Sequence, residues 1–314
     1  MKVLVIQQRY GVGDMVIFIP YFQALSEKIG FPLIVLAKKS SRATDIFKDD
    51  KHVDSIINLD KSIDGLRGFF KLSSELKKWK FDKVFIYNGS LRYYLLAKLS
   101  GIREIYQYPL FTSKDVIFQT AKVFTEGYLN KVISTQPKII LNQDKVENTF
   151  KNLNFNNEYK HIVLGISASG PTKRWGINNF LKLAKKISSE VKCKFYVAGG
   201  QQDEILINKF LSSEIKNDCI SLSNLSIEEI LPIIKNCNFY IGNDTGFLHL
   251  SSGLGLKCIG LFFDSPAFSY SAYSDNIKVI VPEGETLLST SHNTLGKDRI
   301  SFEKVLAEAK KILN

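Results

Sequence analysis

The sequence predicts an α/β protein made of two Rossmann-like halves, and three observations carry that prediction. Short β-rich runs alternate along the chain with longer segments of helical period, the pattern of parallel α/β layers. Turns bearing glycine and carboxylate residues follow several of those runs directly. A polar stretch rich in Asn and Lys, from about 136 to 160, separates one series of elements from a fresh one.

The expected strands of the first half are Lys2–Ile6, Leu33–Ala37, Ser55–Leu59 and Lys83–Tyr87. Those of the second half are Ile162–Ile166, Lys194–Val197, Phe239–Ile241, Lys257–Phe262 and Lys278–Val281. Helical segments lie between them. Ile177, Phe180, Leu181, Ala184 and Ile187 recur at the spacing of one buried stripe. Ser226 and Glu229 have the spacing of a capping box that opens a helix ending before Asn236, and Pro232 should kink or shorten it. Pro20 should likewise kink the first helix or make it start again. The segment from Ser301 to Asn314 is amphipathic, with Phe302, Val305, Leu306, Ala309, Ile312 and Leu313 on one face. The expected domains are therefore 1–155 and 156–300, followed by a terminal helix over 301–314.

Composition narrows the function classes. The chain has 314 residues, enough for two ordinary cores, with 45% apolar and 23% charged residues. Lys and Arg number 42 against 31 Asp and Glu, a formal charge of +11. Such an excess fits either a solubilising surface or attraction to anionic partners such as nucleotide diphosphates, phosphorylated glycolipid or an acidic membrane face. Nucleic acid is not expected, because no basic block is interleaved with aromatic residues. Cys193, Cys219, Cys237 and Cys258 stand singly, which argues against a zinc site or a disulfide framework and suits a reducing compartment. The opening apolar run is too short for a signal peptide, and no stretch reaches the roughly 18 apolar residues needed to span a bilayer. A cytoplasmic protein is expected, one that can lie against a membrane.

Four segments carry chemistry. Gly11-Val12-Gly13-Asp14 follows the first strand, where the glycines permit a tight turn and a close approach of substrate. Asp14 lies at or just before a helix N-terminus, and its residue type fits either an N-cap or a general base. A dinucleotide fingerprint competes, but the third glycine is missing. Asn243-Asp244-Thr245-Gly246 follows another strand. Asp244 or Thr245 would cap a helix with Phe247, Leu250 and Leu254 on its buried stripe, and the first-turn N–H groups would suit a diphosphate. His249, alone, reads as a structural hydrogen-bonding residue and at most a contact.

Ser167 to Trp175 is a loop of small residues ending in Lys173-Arg174, where Lys173 fits a phosphate clamp or a solvated cation and Trp175 fits packing. Gly199-Gly200-Gln201-Gln202-Asp203-Glu204 has the form of a ribose-binding corner, and spacing leaves Asp203 and Glu204 equally eligible. Either acid would also serve as a first-turn partner of the helix dipole.

Taken together, Gly-x-Gly-Asp-Met-Val-x-x-x-Pro, Lys173-Arg174-Trp175, Gly199-Gly200-x-x-Asp-Glu and Asp244-Thr245-Gly246-x-x-His249-Leu250 resemble the lipopolysaccharide heptosyltransferases of glycosyltransferase family 9. The resemblance covers nearly the whole chain and is most specific at Asp244 to His249. It implies a GT-B fold, two Rossmann-like domains facing across a cleft, with the C-terminal helix returning to the N-terminal domain. It implies an inverting, metal-independent transfer of heptose from ADP-heptose to a lipopolysaccharide core hydroxyl, with no cofactor and with a glycolipid or oligosaccharide acceptor at the inner membrane's cytoplasmic face. By resemblance, Asp14 is the catalytic base and Lys173 the phosphate-binding lysine. Gly13, Asp203 or Glu204, Asp244, Thr245, Gly246 and His249 are placed at the donor. One departure stands out: Phe263-Asp264-Ser265-Pro266-Ala267 replaces the family's usual Gly-Pro-Thr-Asp-Pro. A transferase or epimerase using another nucleotide sugar, and a non-catalytic nucleotide-sugar-binding homologue, are the alternative functions.

Overall fold

A computed structural model describes residues 1–60, 63, 65–110 and 116–313. Asn314, the last residue of the expected terminal helix, lies outside the described residues. In chain order the first elements are β1 (Val3–Gln7), α1 (Val12–Ile29), β2 (Leu33–Lys38), α2 (Ala43–Ile46), β3 (Val53–Leu59), α3 (Gly65–Trp79), β4 (Lys83–Ile86), α4 (Leu91–Leu99), β5 (Glu104–Gln107) and α5 (Ile117–Leu129). Then come α6 (Gln143–Asn152), β6 (Lys160–Gly165), α7 (Ile177–Ser188), β7 (Cys193–Ala198), α8 (Glu204–Leu211), β8 (Cys219–Ser221), α9 (Ile227–Lys235), β9 (Phe239–Asn243), α10 (Gly246–Gly253), β10 (Lys257–Leu261), α11 (Ala267–Ser271), β11 (Ile277–Ile280) and α12 (Phe302–Leu313).

These elements form two units, Met1–Ile140 and Leu141–Asn314. Among the described residues, the first unit holds a parallel sheet in the order β3-β2-β1-β4-β5 and the second a parallel sheet in the order β11-β10-β9-β6-β7-β8. Each sheet reverses its winding beside its own first strand, between β1 and β4 and between β6 and β9. In doubly wound sheets that reversal opens the ligand crevice beyond the strands' carboxyl ends. The central strands are buried on both faces: Val3, Leu4, Val5 and Ile6 have no exposure, nor do Ile162, Val163 and Leu164.

All nine expected strands are present, displaced by one or two residues at their ends. β5 and β8 were not expected. They are edge strands reading Glu-Ile-Tyr-Gln and Cys-Ile-Ser, half-exposed and too short to show a period. α1 runs through Pro20 as one helix with its C-terminus on Gly30 (φ 78°), so of the two outcomes expected at that proline, a kink or a restart, the restart does not occur. α9 opens on the expected box: Ser226 Oγ accepts from Glu229 N–H (3.3 Å), and Ser226 N–H donates to Glu229 (2.7 Å). With Pro232 inside, it is only nine residues long.

Two assignments near the termini of the domains change. Helix α6 lies within the expected first domain, yet it packs on α9, and Asn236 Nδ2 donates to the Val146 carbonyl (2.9 Å). The buried Val146 of α6 is thus covered by the second unit's own helix. The resemblance implies that the C-terminal helix returns to the first domain. Instead Val305 and Ala309 of α12, both with no exposure, belong to the core formed by β6, β7, β9, β10 and α7. Trp175 also stacks on Phe302 at 6.2 Å, and Lys310 pairs with Glu190 (2.8 Å), two further contacts of α12 within the second unit.

At the reversal of the second sheet, Gly165 and Gly242 lie opposite each other in the β6–β9 register. The buried Tyr240 ring passes over both and donates its hydroxyl to the Asn243 carbonyl (2.9 Å). A methyl group on Gly165 would overlap the Tyr240 hydroxyl, and one on Gly242 would meet the Gly165 Cα at 2.5 Å. Gly165→Ala is therefore expected to cost about 3 kcal/mol or more, by forcing the ring out of a packed site. Urea denaturation checks this, and Tyr240→Phe in the same chain should recover part of the loss.

Candidate active site

In the first unit the candidate site is the turn from β1 into α1. Gly11 is the N-cap residue in extended conformation (φ −83°, ψ 147°), so Asp14 stands at the third helical position and is not the cap. Its Oδ2 accepts from the Gly11 N–H (3.1 Å), satisfying one of the helix's orphan donors. A side chain on Gly11 would put a Cβ 2.7 Å from that oxygen, which explains the glycine. Gly13 is buried in the first turn. The other oxygen, Oδ1, faces the Arg9 guanidinium at 3.4 Å, and the Asp14 side chain keeps 16% exposure. Arg9 went unnoticed in the sequence, although a cation in the four-residue turn between strand and helix was the available signal. The result is a solvent-reachable carboxylate with positive potential on two sides, from Arg9 and from the helix N-terminus.

In the second unit three loops meet at the sheet's reversal, and buried Asn243 joins them. Asn243 Nδ2 donates to the carbonyls of Ile166 (3.0 Å) and Ser167 (3.1 Å), and its Oδ1 accepts from Trp175 N–H (3.1 Å). The end of β9 is thereby tied to both ends of the loop after β6. Trp175 closes that loop from below: it is 3% exposed, packs edge-on against Phe180 and donates Nε1–H to the Ile300 carbonyl (3.2 Å). The packing role expected for it holds.

Asp244 does not cap α10. Its Oδ2 accepts from Ser265 Oγ (2.7 Å), and its Oδ1 lies 3.4 Å from His249 Nε2. His249 is 3% exposed and shares its other nitrogen with the Tyr273 hydroxyl (2.7 Å). This chain, Ser265 to Asp244 to His249 to Tyr273, fixes the β9–α10 turn to the loop after β10. Thr245 occupies the N-cap position but makes no side-chain cap bond, and its buried Oγ1 has no well-directed partner. The first-turn N–H groups at Gly246 thus remain for a ligand. The buried side of α10 is Leu248, His249, Leu250 and Leu254, with Phe247 only half-buried, because the helix is sunk into the unit rather than laid on it.

The loop Ser167 to Arg174 ends in a single 3₁₀ turn, Pro171–Lys173. Thr172 Oγ1 donates to Asp264 (2.8 Å), whose other oxygen accepts from Leu295 N–H (3.1 Å). The chain's departure at Phe263 to Ala267 thus supplies two structural acceptor or donor groups, Asp264 and Ser265, to the same site. Arg174 is spent on Asp203 (2.9 Å). Lys173, half-buried beside it, makes no ion pair or side-chain hydrogen bond among the described residues. Asp203 has no side-chain exposure and takes Gly200 N–H (3.2 Å) on its second oxygen, so both of its oxygens are engaged within the unit. Glu204, at the start of α8, is exposed.

Comparison with known proteins identifies the family and the fold. The model of glycosyltransferase family 9 (heptosyltransferase) matches residues 69–295. Lipopolysaccharide heptosyltransferase 1 of Campylobacter coli is 24% identical over 205 residues, covering 63% of this chain and 54% of that protein. The match therefore spans about half the length of this curated relative. A solved family 9 glycosyl transferase of Veillonella parvula superposes with a TM-score of 0.80 at 17% identity, covering 99% of this chain and 97% of the other. The E. coli heptosyltransferase WaaC, solved with ADP-2-deoxy-2-fluoro heptose, gives a TM-score of 0.70 at 13% identity and 99% coverage of both chains. The two parallel sheets are those of the GT-B fold.

Proposed function

Because the chain belongs to glycosyltransferase family 9, the heptosyltransferase family, we propose that it transfers heptose from ADP-heptose to a hydroxyl of a lipopolysaccharide core acceptor, with inversion and without a catalytic metal. The observation that carries this reading is the pairing of an uncommitted cation, Lys173, with the uncapped N-terminus of α10 at the sheet's reversal. Asn243 ties the two loops together, which supports reading both as parts of one donor site. A diphosphate suits that place, because helix N–H groups and a lysine together neutralise it.

In the proposed step the acceptor hydroxyl gives its proton to an Asp14 carboxylate oxygen as its own oxygen bonds to the anomeric carbon. The bond from that carbon to the diphosphate oxygen breaks, and ADP leaves with the electron pair. Lys173 and the amides at Thr245–Gly246 stabilise the charge that grows on the leaving group. Asp244 and His249 act by holding that turn, and Gly13 lets the acceptor come close to the helix start. Glu204 takes the ribose, since Asp203 is occupied by Arg174 and Gly200. The acceptor's lipid would bring the chain to the cytoplasmic face of the inner membrane.

A thermal-shift panel of ADP-, UDP-, GDP- and CDP-sugars tests the donor. The expected outcome is stabilisation by ADP-heptose, growing with its concentration, and little or none by the other bases. Equal shifts for all four nucleotides, or none for ADP-heptose, would refute the donor assignment.

A further inference from the structure

We propose that the outward face of α3 and α4 is a docking surface for an anionic membrane. Both helices cover one side of the first unit's sheet. Their inner residues, Phe69, Leu72 and Leu76 on α3 and Tyr93, Leu96 and Ala97 on α4, pack in one core with Leu4, Ile6, Val84 and Ile86. Both helices have therefore already spent an apolar stripe on the sheet. Their opposite sides should be polar, and they are not.

On α3, Leu66 is 76% and Phe70 60% exposed, one turn apart. On α4, Leu91, Leu95 and Leu99 repeat at every fourth residue with 45%, 45% and 51% exposure. Scattered exposed apolar residues need no explanation, but a second stripe along a helix does. The Arg92 guanidinium binds the carbonyls of Ile63 and Gly65 (3.2 and 3.3 Å), so the two helix starts are fastened side by side and the stripes form one surface.

The charges on this face select the partner. Arg67, Lys71, Lys77, Lys78 and Lys98 are exposed on the two helices, and Glu75 is their only carboxylate. Leucine and phenylalanine interspersed with cations and almost no acid is the composition of a helix face lying in the headgroup region of an anionic bilayer. The long cations reach phosphates while the apolar side chains enter the acyl boundary. A second copy of this chain fits badly, because the same cations would face each other. No helix among the described residues is long and apolar enough to cross a membrane, so this contact is with the surface. The proposal rests on the first unit alone; the transferase reading supplies only its purpose, bringing the base to a lipid-borne acceptor.

The test is flotation of the full chain with vesicles of phosphatidylcholine and with vesicles containing phosphatidylglycerol. The chain should bind the anionic vesicles and lose them as salt is raised. Phe70→Glu/Leu95→Glu and, separately, Lys71→Glu/Lys78→Glu should each weaken binding about ten-fold or more. All four positions are exposed, so thermal melting should be unchanged. Both variants should still act on a delipidated, water-soluble acceptor as the parent chain does. Variants that bind anionic vesicles as tightly as the parent, a parent that does not bind them, or a parent that instead dimerises through this face would overturn the proposal. Vesicle binding as expected together with no transfer to any acceptor would overturn the catalytic reading and leave this one standing.

Discussion

Asp14→Asn should lower kcat by roughly two to four orders of magnitude while leaving affinity for ADP-heptose nearly unchanged. The size follows from losing a positioned general base. The amide is nearly isosteric and its oxygen still accepts from the Gly11 N–H, so the start of α1 survives. What it cannot do is take a proton. Asp14→Ala would confuse the result, since it also removes the bond that satisfies Gly11 and costs helix stability. Steady-state rates with a saturating donor and a donor titration on the same variant separate the two effects. Turnover within ten-fold of the parent chain would remove Asp14 from the chemistry.

Lys173→Ala should act on both sides of that division. A lysine on the diphosphate meets charge in the bound donor and more charge on the departing ADP. Donor affinity should therefore fall, and kcat with it, for a loss of about 10²–10³ in kcat/KM. Because Lys173 has no partner among the described residues, no buried acid is left uncompensated by the change. The fold should melt within about 0.5 kcal/mol of the parent. The neighbouring change Arg174→Ala is a different experiment. It strands the Asp203 carboxylate, which has no side-chain exposure, and should destabilise the second unit. A Lys173→Ala chain that binds and turns over donor normally would show that the diphosphate lies elsewhere.

Much of the fold was legible because the interior strands are apolar throughout and the helices between them keep a 3.6-residue period. Phe180, Ala184 and Ile187 are buried as their spacing requires. β5 and β8 escaped notice because an edge strand of three or four residues buries too little to force a pattern. The destination of α12 was not legible: amphipathicity says that one face must be covered, not which unit covers it. The same limit applied to α6.

At the site, residue types at strand ends were readable, but their commitments were not. Asp203 and Glu204 are adjacent and chemically alike, and only the fold reveals that Arg174 and Gly200 claim the first. Asp14 looked like a cap because caps and third-position acids occupy the same three residues of sequence; the extended Gly11 decides between them. Asn243 carried no signal at all. Its importance comes from three partners lying 68 to 77 residues away in the chain. Arg9 offered only a cation in the turn, and its meaning comes from its distance to one carboxylate oxygen.

Transfer itself is the most direct measure of whether one unit's carboxylate and the other's diphosphate clamp serve a single reaction. ADP-heptose and a heptose-free lipopolysaccharide core should be incubated with the protein and followed by NMR. Release of ADP in step with one new glycosidic linkage, of anomeric configuration opposite to the donor's, is the predicted result. Donor that binds and stays intact beside a competent acceptor, or a linkage that keeps the donor's configuration, would contradict it.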